Sequence, residues 1–196
     1  MTASERSDEQ RLRWLAEVFC LDPAKLVFVD ESGFHLAMTP SYARASKGER
    51  TYSQVPRNRG ENTSFLAALS LNGLQAPMTL QGSVDGLAFE TYVEQVLVQT
   101  LAPGQIVVLD NHRIHKGDKV AELLASKGCS LLFLPPYSPD LNPIEEAFSK
   151  IKTFVKARQA RARDTLDQAI ATALKTLTLQ DILGWFAHSG YNSRYQ

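Results

Sequence analysis

Two aspartates stand in matching positions, each at the end of a short apolar run. Residues 25–30 read Lys-Leu-Val-Phe-Val-Asp, and residues 105–110 read Gln-Ile-Val-Val-Leu-Asp. Continuous apolar runs are typical of strands that are buried on both faces, and functional groups gather at strand ends in α/β sheets. A turn explains either aspartate alone equally well, but the two matching contexts favour a functional pair, Asp30 and Asp110.

A third acid follows at the start of a predicted helix. Asn142 suits the N-cap position and Pro143 the first helical residue, which puts Glu145 at the third. The same Asn-x-x-Glu pattern resembles a capping box, so a structural role for Glu145 stays open. At about 100° per residue, Glu145 flanks the apolar stripe of this helix, whereas Glu146 points away from it toward solvent. Glu145 is therefore the acid that we expect at a site.

Three converging carboxylates would repel one another unless a cation lies between them. Carboxylates with few His or Cys neighbours suit Mg²⁺ or Mn²⁺ better than zinc. Two such ions can hold the attacking and leaving oxygens of an in-line phosphoryl displacement, which is nuclease chemistry. Glu31 adjoins Asp30, but neighbouring strand side chains point to opposite faces. Only one of these two acids should face the site, and alternation alone does not say which.

The elements that must position these acids follow from the hydrophobic pattern. Apolar runs predict strands, and apolar residues at helical spacing predict helices. Asn72-Gly73 is a strong hairpin signal. The order indicates an α/β protein, with a core at 23–160 between helical flanks at 1–22 and 161–196. The predicted helices are 9–20, 85–99, 116–127, 143–158, 164–177 and 179–188; the strands are 25–30, 62–71, 76–81, 105–110 and 130–134, with one more strand and a loop within 34–55 and a rigid loop at 135–143.

The composition excludes several other classes of protein. The chain has 196 residues, of which 44% are hydrophobic and 21% charged, as is ordinary for one globular domain. Basic and acidic residues number 21 each, so a polybasic non-specific binder is not expected. Cys20 and Cys129 form neither a disulfide framework nor a zinc-finger spacing. With no signal peptide and no apolar run long enough to cross a bilayer, a cytoplasmic protein with no membrane contact is expected.

Three blocks of sequence resemble the DDE transposases of bacterial insertion sequences related to the mariner superfamily. Each block contains one of the three acids, and 34 residues separate Asp110 from Glu145. The blocks are Val-Phe-Val-Asp30-Glu-Ser-Gly-Phe34, Val-Val-Leu-Asp110-Asn111-His-Arg-Ile-His115-Lys116 and Leu134-Pro-Pro-Tyr-Ser-Pro-Asp-Leu-Asn-Pro-Ile-Glu145.

The resemblance implies a fold, a reaction and a set of ligands. It implies a ribonuclease-H-like fold, with a mixed five-stranded sheet flanked by helices. Asp30, Asp110 and Glu145 would be the metal-binding triad, holding two Mg²⁺ ions per active site, for which Mn²⁺ could substitute. The reaction would be cleavage of double-stranded DNA at transposon ends, followed by strand transfer into target DNA.

The N-terminal segment departs from this family. Only about 24 residues precede the first catalytic strand, which is too few for the helix-turn-helix modules of full-length relatives. The chain therefore resembles the downstream, catalytic half of a transposase, with end recognition supplied by an upstream module or reading-frame product and a homodimer assembled on DNA. The alternative is an inactive or repurposed DNA-binding remnant. A phosphotransfer enzyme is a weaker interpretation, because Ser32 occupies the position of its second aspartate.

Basic residues after Glu145 and after the first aspartate are candidate DNA ligands. An acid-free run follows Glu145, where contact with phosphates is favoured over a merely solvated face. Lys152 lies two helical turns after Glu145, on the same side of the helix. The basic residues of this run are Lys150, Lys152, Lys156, Arg158, Arg161 and Arg163. A second, looser cluster follows the first aspartate and comprises Arg44, Lys47, Arg50, Arg57 and Arg59.

Two polar residues follow the second aspartate. Asn111 and His115 could each orient a metal ligand from behind, as outer partners of metal sites do. A hydrogen-bonded residue at the start of a helix explains either one equally well.

Overall fold

The computed structural model describes residues 6–52 and 54–191. Residues 1–5 of the predicted N-terminal flank and residues 192–196 of the C-terminal flank lie outside the described residues. The strands are β1 (Leu26–Phe34), β2 (Thr63–Ser70), β3 (Gly73–Gln81), β4 (Ile106–Leu109) and β5 (Ser130–Phe133). The helices are α1 (Asp8–Phe19), α2 (Gly86–Tyr92), α3 (Val98–Thr100), α4 (Asp118–Ser126), α5 (Pro143–Arg158), α6 (Arg163–Leu174) and α7 (Leu179–His188), with a π-helical turn (Val93–Leu97) joining α2 to α3.

The five strands form one mixed sheet in the order β3-β2-β1-β4-β5. β1 pairs antiparallel with β2, and β2 pairs antiparallel with β3. The hairpin predicted from Asn72-Gly73 is present, but its turn residues are Leu71 and Asn72, and Gly73 begins β3. β4 pairs parallel with both β1 and β5. The central strands β2, β1 and β4 are mostly buried, whereas the edge strands β3 and β5 are mostly partly buried or exposed. The expected mixed five-stranded sheet flanked by helices is confirmed.

Each face of the sheet carries its own apolar core, because successive residues of a strand point to opposite faces. Phe28 belongs to the core that contains residues of α1, α5, α6 and α7. Val27 and Val29 belong to the core that contains residues of α2 and α4. β1 thus lies between two layers of helices, and all three of these side chains are at most 1% exposed.

The first strand is longer than its sequence predicts. The apolar run predicts a strand that ends at Asp30, but β1 continues to Phe34. Its parallel pairing with β4 covers only Leu26–Phe28, whereas its antiparallel pairing with β2 reaches Phe34. A partner strand from a later part of the chain therefore sustains β1 past Asp30. The prediction of a further strand within 34–55 is wrong. The described residues 35–52 and 54–62 contain no strand.

Contacts from both ends of the described chain secure the loop before α5. Arg11 of α1 donates two hydrogen bonds to the carboxylate of Asp140, at 3.0 and 2.5 Å. The hydroxyl of Tyr191 donates to the carbonyl of Leu141 at 2.6 Å and accepts from Nε1 of Trp14 at 3.2 Å. Tyr191 is 4% exposed, so its hydroxyl depends on these partners. The flanking helices therefore hold the loop that leads into α5.

Across residues 6–52 and 54–191, every helix is too short or too polar to cross a membrane.

We predict that Tyr191→Phe lowers the free energy of unfolding by about 1–3 kcal/mol, because it leaves the Leu141 carbonyl and the Trp14 indole without their buried partner. Urea denaturation followed by tryptophan fluorescence measures this. Tyr42→Phe is the control, since Tyr42 is 93% exposed and should change nothing. Equal stability of both variants would contradict the anchoring role of Tyr191.

Candidate active site

The three candidate acids line one cleft, which lies beside the two central strands β1 and β4. Asp30, Asp110 and Glu145 all border this cleft, whose volume is about 310 Å³. Its far wall is the proline-rich loop 134–139, which includes the exposed Tyr137. The remaining lining residues are Asn111, His112 and Asn142.

The sheet brings the two aspartates together. Phe28 of β1 is paired with Val108 of β4 in parallel register, so Asp30 and Asp110 each stand two residues beyond that pair. Asp110 follows the end of β4 as the sequence predicted, whereas Asp30 lies inside β1. The first turn of α5 supplies Glu145.

Asp30 is a buried carboxylate in an acidic neighbourhood. It is 7% exposed; its Oδ1 accepts from the backbone N–H of Glu31 and its Oδ2 from Nδ2 of Asn142, both at 2.8 Å. Burial, followed by the charges of Glu31, Glu145 and Asp110, raises the pKa of Asp30 well above its ordinary value, against the opposing hydrogen bond from Glu31. The folded chain therefore disfavours a negative charge on Asp30.

Asp110 is held in the ionised form. Its Oδ1 is 2.6 Å from Nδ1 of His115 and accepts from the backbone N–H of His112 at 2.9 Å. Burial opposes ionisation, but the hydrogen bonds from His115 and His112, together with the charges of the two imidazoles, outweigh it and lower the pKa of Asp110. The two aspartates thus differ in their readiness to carry charge.

His115 joins Asp110 to Glu31 from behind the sheet. The ring is fully buried, packs 4.2 Å from the Phe89 ring centroid and places Nε2 3.2 Å from Oε2 of Glu31. Burial favours the neutral ring, but hydrogen bonds to Asp110 and Glu31 raise the pKa of His115 to about 9. At neutral pH both ring nitrogens therefore donate, one to each carboxylate.

The structure separates the neighbours Asp30 and Glu31. Asp30 faces α5 and the cleft, while Glu31 reaches His115 on the other face. Alternation along the strand predicted the divergence but not the direction. Sequence reasoning missed the contact between Glu31 and His115, because it joins residues 84 positions apart and no local pattern reports it.

The two glutamates of α5 have different surroundings. Partial burial raises the pKa of Glu145; the charge of Lys152 opposes this, and the charges of Asp110 and Glu31 add to it. Glu146 is hydrogen-bonded to His188 of α7. The expectation that Glu146 points into solvent is wrong, because α7 packs against this side of α5, which the periodicity of α5 alone could not show.

The predicted basic residues of α5 fall into two groups. Lys152 lies toward the cleft, with its Nζ 5.9 Å from the Phe34 ring centroid and its charge acting on Glu145. Lys156 follows one turn later, where its charge lowers the pKa of His35 after the larger effect of burial and that of Arg59. Lys150 instead pairs with Asp181 of α7 at 2.5 Å.

The other predicted basic residues lie at the end of α5, after it, or in the segment after β1. Arg158 places its guanidinium 4.9 Å from the Phe154 ring centroid. Arg161 donates to the carbonyls of Leu36 and Met38, which fastens the segment after β1, and Arg163 donates to Gln81. The exposed members of the second cluster are Arg44, Lys47, Arg50, Arg57 and Arg59.

The donor atoms of the cleft fit a hard divalent cation. Among the described residues, no three His, Cys, Asp or Glu side chains are already arranged to coordinate an ion. The cleft nonetheless contains a buried carboxylate, Asp30, under the influence of three other acids. Oδ1 of Asn142 is buried there without a hydrogen-bond partner in the described part of the chain. Carboxylate and amide oxygens are the ligands that Mg²⁺ and Mn²⁺ prefer.

Comparison with known proteins identifies both a family and a fold. A family model described as DDE superfamily endonuclease matches residues 25–167. A pre-cleavage Mos1 transpososome matches with a TM-score of 0.74 and 16% identity, covering 100% of this chain and 65% of the other. The mariner Mos1 paired end complex with Mg has a TM-score of 0.69 and 17% identity, covering 98% and 63%. The catalytic domain of Mos1 mariner transposase has a TM-score of 0.67 and 11% identity, covering 95% and 89%.

These matches differ in how much of each protein they cover. The chain spans about two thirds or less of the transpososome and paired-end chains, but nearly the whole of the isolated catalytic domain. The likeness confirms the ribonuclease-H-like fold. No protein among the curated sequences matches this chain.

We predict that Asp30→Asn raises the melting temperature of the metal-free protein at pH 7. Because the pKa of Asp30 is raised on folding, the folded state loses stability as the pH rises from the ordinary value of 3.8 through the raised one. A neutral amide removes that loss. The expected rise is about 2–4 °C or more, the shift that about 1 kcal/mol produces in a chain of this length.

Differential scanning fluorimetry in the presence of a chelator measures this rise. The control is Asp118→Asn, at an exposed position in the first turn of α4, which should not raise the melting temperature. A melting temperature for Asp30→Asn below that of the wild type would contradict the assignment.

Proposed function

The chain belongs to the DDE superfamily of endonucleases, and we propose that it is the catalytic domain of a transposase that cuts DNA at transposon ends and transfers the cut strand to target DNA. One observation carries this proposal. Two aspartates on neighbouring strands and a glutamate at the start of the next helix line a single cleft. The similar Mos1 structures are a transpososome and a paired end complex with Mg.

The three acids of the cleft differ in their hydrogen bonds and in their pKa values. Asp110 uses Oδ1 for its hydrogen bonds to His115 and His112, so Oδ2 is available to an ion. Asp30 and Glu145, whose pKa values are raised in the metal-free chain, become fully ionised when positive charge enters the cleft. A bound divalent cation supplies Lewis acidity and stabilises the charge that develops on the phosphate. We propose two such ions, Mg²⁺ or Mn²⁺, with Asp30, Asp110 and Glu145 as their ligands.

Asn111 and His115 are proposed as residues that orient this site. His115 donates to Asp110 and, through its other nitrogen, to Glu31. This fixes the plane of the Asp110 carboxylate, as outer partners do at metal sites. Asn111 lines the cleft beside Asp110, where its amide can reach a bound phosphate.

We propose that the DNA lies across the cleft and along the exposed basic residues nearest to it. Lys152 and Lys156 are the strongest candidates, since Lys152 lies beside Glu145. Arg44, Arg57 and Arg158 can extend the contact to phosphates on either side. Lys150 can join them only by leaving Asp181.

The wider assembly is also a proposal. We propose a bacterial insertion sequence as the source, a cytoplasmic location with attachment to the nucleoid, and a homodimer on paired transposon ends. An upstream helix-turn-helix module or reading-frame product would recognise those ends, because the basic residues of this chain are placed for phosphates, which carry no sequence information. An inactive remnant is less favoured, because all three acids line the cleft.

Asp30→Ala, Asp110→Ala and Glu145→Ala should each reduce metal-dependent nicking of transposon-end DNA by more than about 100-fold, since even the outer partners of metal ligands cost about 10–100-fold. Gel analysis of nicked duplex in Mg²⁺ and in Mn²⁺ measures this. Glu146→Ala is the matched control, because Glu146 is on the same turn but faces His188. Wild-type nicking by Glu145→Ala with loss in Glu146→Ala would reverse the choice of glutamate.

Replacing Lys152 and Lys156 together with Ala should weaken binding to end-containing and random duplexes by similar factors. The slope of log K against log salt should become shallower by about 2, close to one for each phosphate that is no longer neutralised. Fluorescence anisotropy over a salt series measures both quantities. Lys175→Ala, at the end of α6, should leave the slope unchanged, and weaker binding confined to end-containing DNA would argue for base recognition instead.

A further inference from the structure

Asn142 occupies the N-cap position of α5 but does not cap the helix. Its backbone carbonyl accepts from the N–H of Glu145 at 3.1 Å, whereas its side chain makes no hydrogen bond to the helix. Other helices of this chain use their caps: Ser7, Asp85 and Thr178 each accept a backbone N–H at the start of α1, α2 and α7. The sequence assigned Asn142 to this N-cap position correctly, but its side chain makes no capping hydrogen bond.

The Asn142 side chain is committed to Asp30 instead. Nδ2 donates to Oδ2 of Asp30 at 2.8 Å, across 112 residues of sequence. Both residues are buried, at 3% and 7% exposure. In this orientation Oδ1 of Asn142 has no partner among the described residues, although a capping asparagine would use that oxygen on the helix. An unused cap and an unpaired buried oxygen both lower the stability of the folded chain.

The position of this contact gives it a function. Asn142 begins the helix that carries Glu145, so its bond to Asp30 ties the first acid of the cleft to the element that supplies the third. A residue in a conformation that local rules disfavour is expected where a functional site demands it. Its unpaired Oδ1 lies at the same cleft, where water around a bound ion would satisfy it.

We propose that Asn142 is a positioning residue that holds Asp30 for a divalent cation and sets its distance from Glu145. This inference rests on the proposed function, because it assumes that Asp30 is a ligand of that ion. It assigns no contact with the ion to Asn142 itself. We therefore expect the affinity for the metal ion, rather than the stability of the fold, to depend on Nδ2 of Asn142.

Two substitutions separate positioning from capping. Asn142→Ala removes both abilities. Asn142→Ser restores a good N-cap, but the serine hydroxyl ends one bond nearer to the backbone than the amide nitrogen and does not span the gap to Asp30. Ser138→Ala is the matched control, because Ser138 is 5% exposed in the same cleft and donates only within its own loop, to the Pro136 carbonyl.

The experiment titrates each full-length variant with Mn²⁺ and follows the electron paramagnetic resonance signal of the unbound ion, without DNA. Both Asn142 variants should bind Mn²⁺ about 10–100-fold more weakly than the wild type, and Ser138→Ala should match the wild type. Asn142→Ser should melt within about 4 °C of the wild type, which shows that the weaker binding does not come from unfolding. Wild-type affinity in Asn142→Ser would overturn the proposal in favour of capping.

Asp30→Ala distinguishes this failure from failure of the proposed function. If Asp30→Ala keeps wild-type affinity for Mn²⁺, Asp30 is not a ligand and both proposals fall. If Asp30→Ala loses affinity while both Asn142 variants keep it, the metal site stands and only the positioning role is rejected.

Discussion

The burial of carboxylates beside other carboxylates is the constraint on which the cleft depends. After the larger effect of burial, the charges of Glu31 and Asp110 raise the pKa values of both Asp30 and Glu145, and like charges at such range cannot all be kept without compensation. One pair of these acids, Asp110 and Glu31, has a histidine partner, and the other pair, Asp30 and Glu145, has none among the described residues. His115 lies between Asp110 and Glu31 and is hydrogen-bonded to both, whereas Asp30 and Glu145 have raised pKa values. Positive charge beside Asp30 and Glu145 would favour their ionised forms, and the proposed cation site relies on this property.

The division of the acids between two faces follows from the central strand. β1 pairs parallel on one side and antiparallel on the other. It therefore has the parallel neighbour that brings Asp110 alongside and the antiparallel neighbour that extends it beyond Asp30. Glu31 therefore points to the face where His115 lies, and Asp30 points to the face covered by α5. A strand that ended at Asp30 would offer no fixed direction for Glu31.

Local patterns were sufficient wherever one element alone decided the outcome. The apolar run before Asp110 ended where the strand ends. Prediction failed where a distant element intervened. β2 carries β1 past Asp30, α7 supplies a hydrogen-bond partner to Glu146, and the Asn142 side chain bonds to Asp30 instead of capping α5. Each of these contacts joins residues that lie far apart in the chain, and no short window of sequence contains both partners.

Tyr191 comes late in the chain but contacts residues that are synthesised much earlier. It secures the loop before α5 through a contact that spans 50 residues, and the indole of Trp14 reaches the same hydroxyl from 177 residues away. During synthesis from the N-terminus, the sheet and all three acids leave the ribosome before Tyr191 does. Until residue 191 has left the ribosome, the loop before α5 depends on the contact between Arg11 and Asp140, and the Leu141 carbonyl lacks its partner.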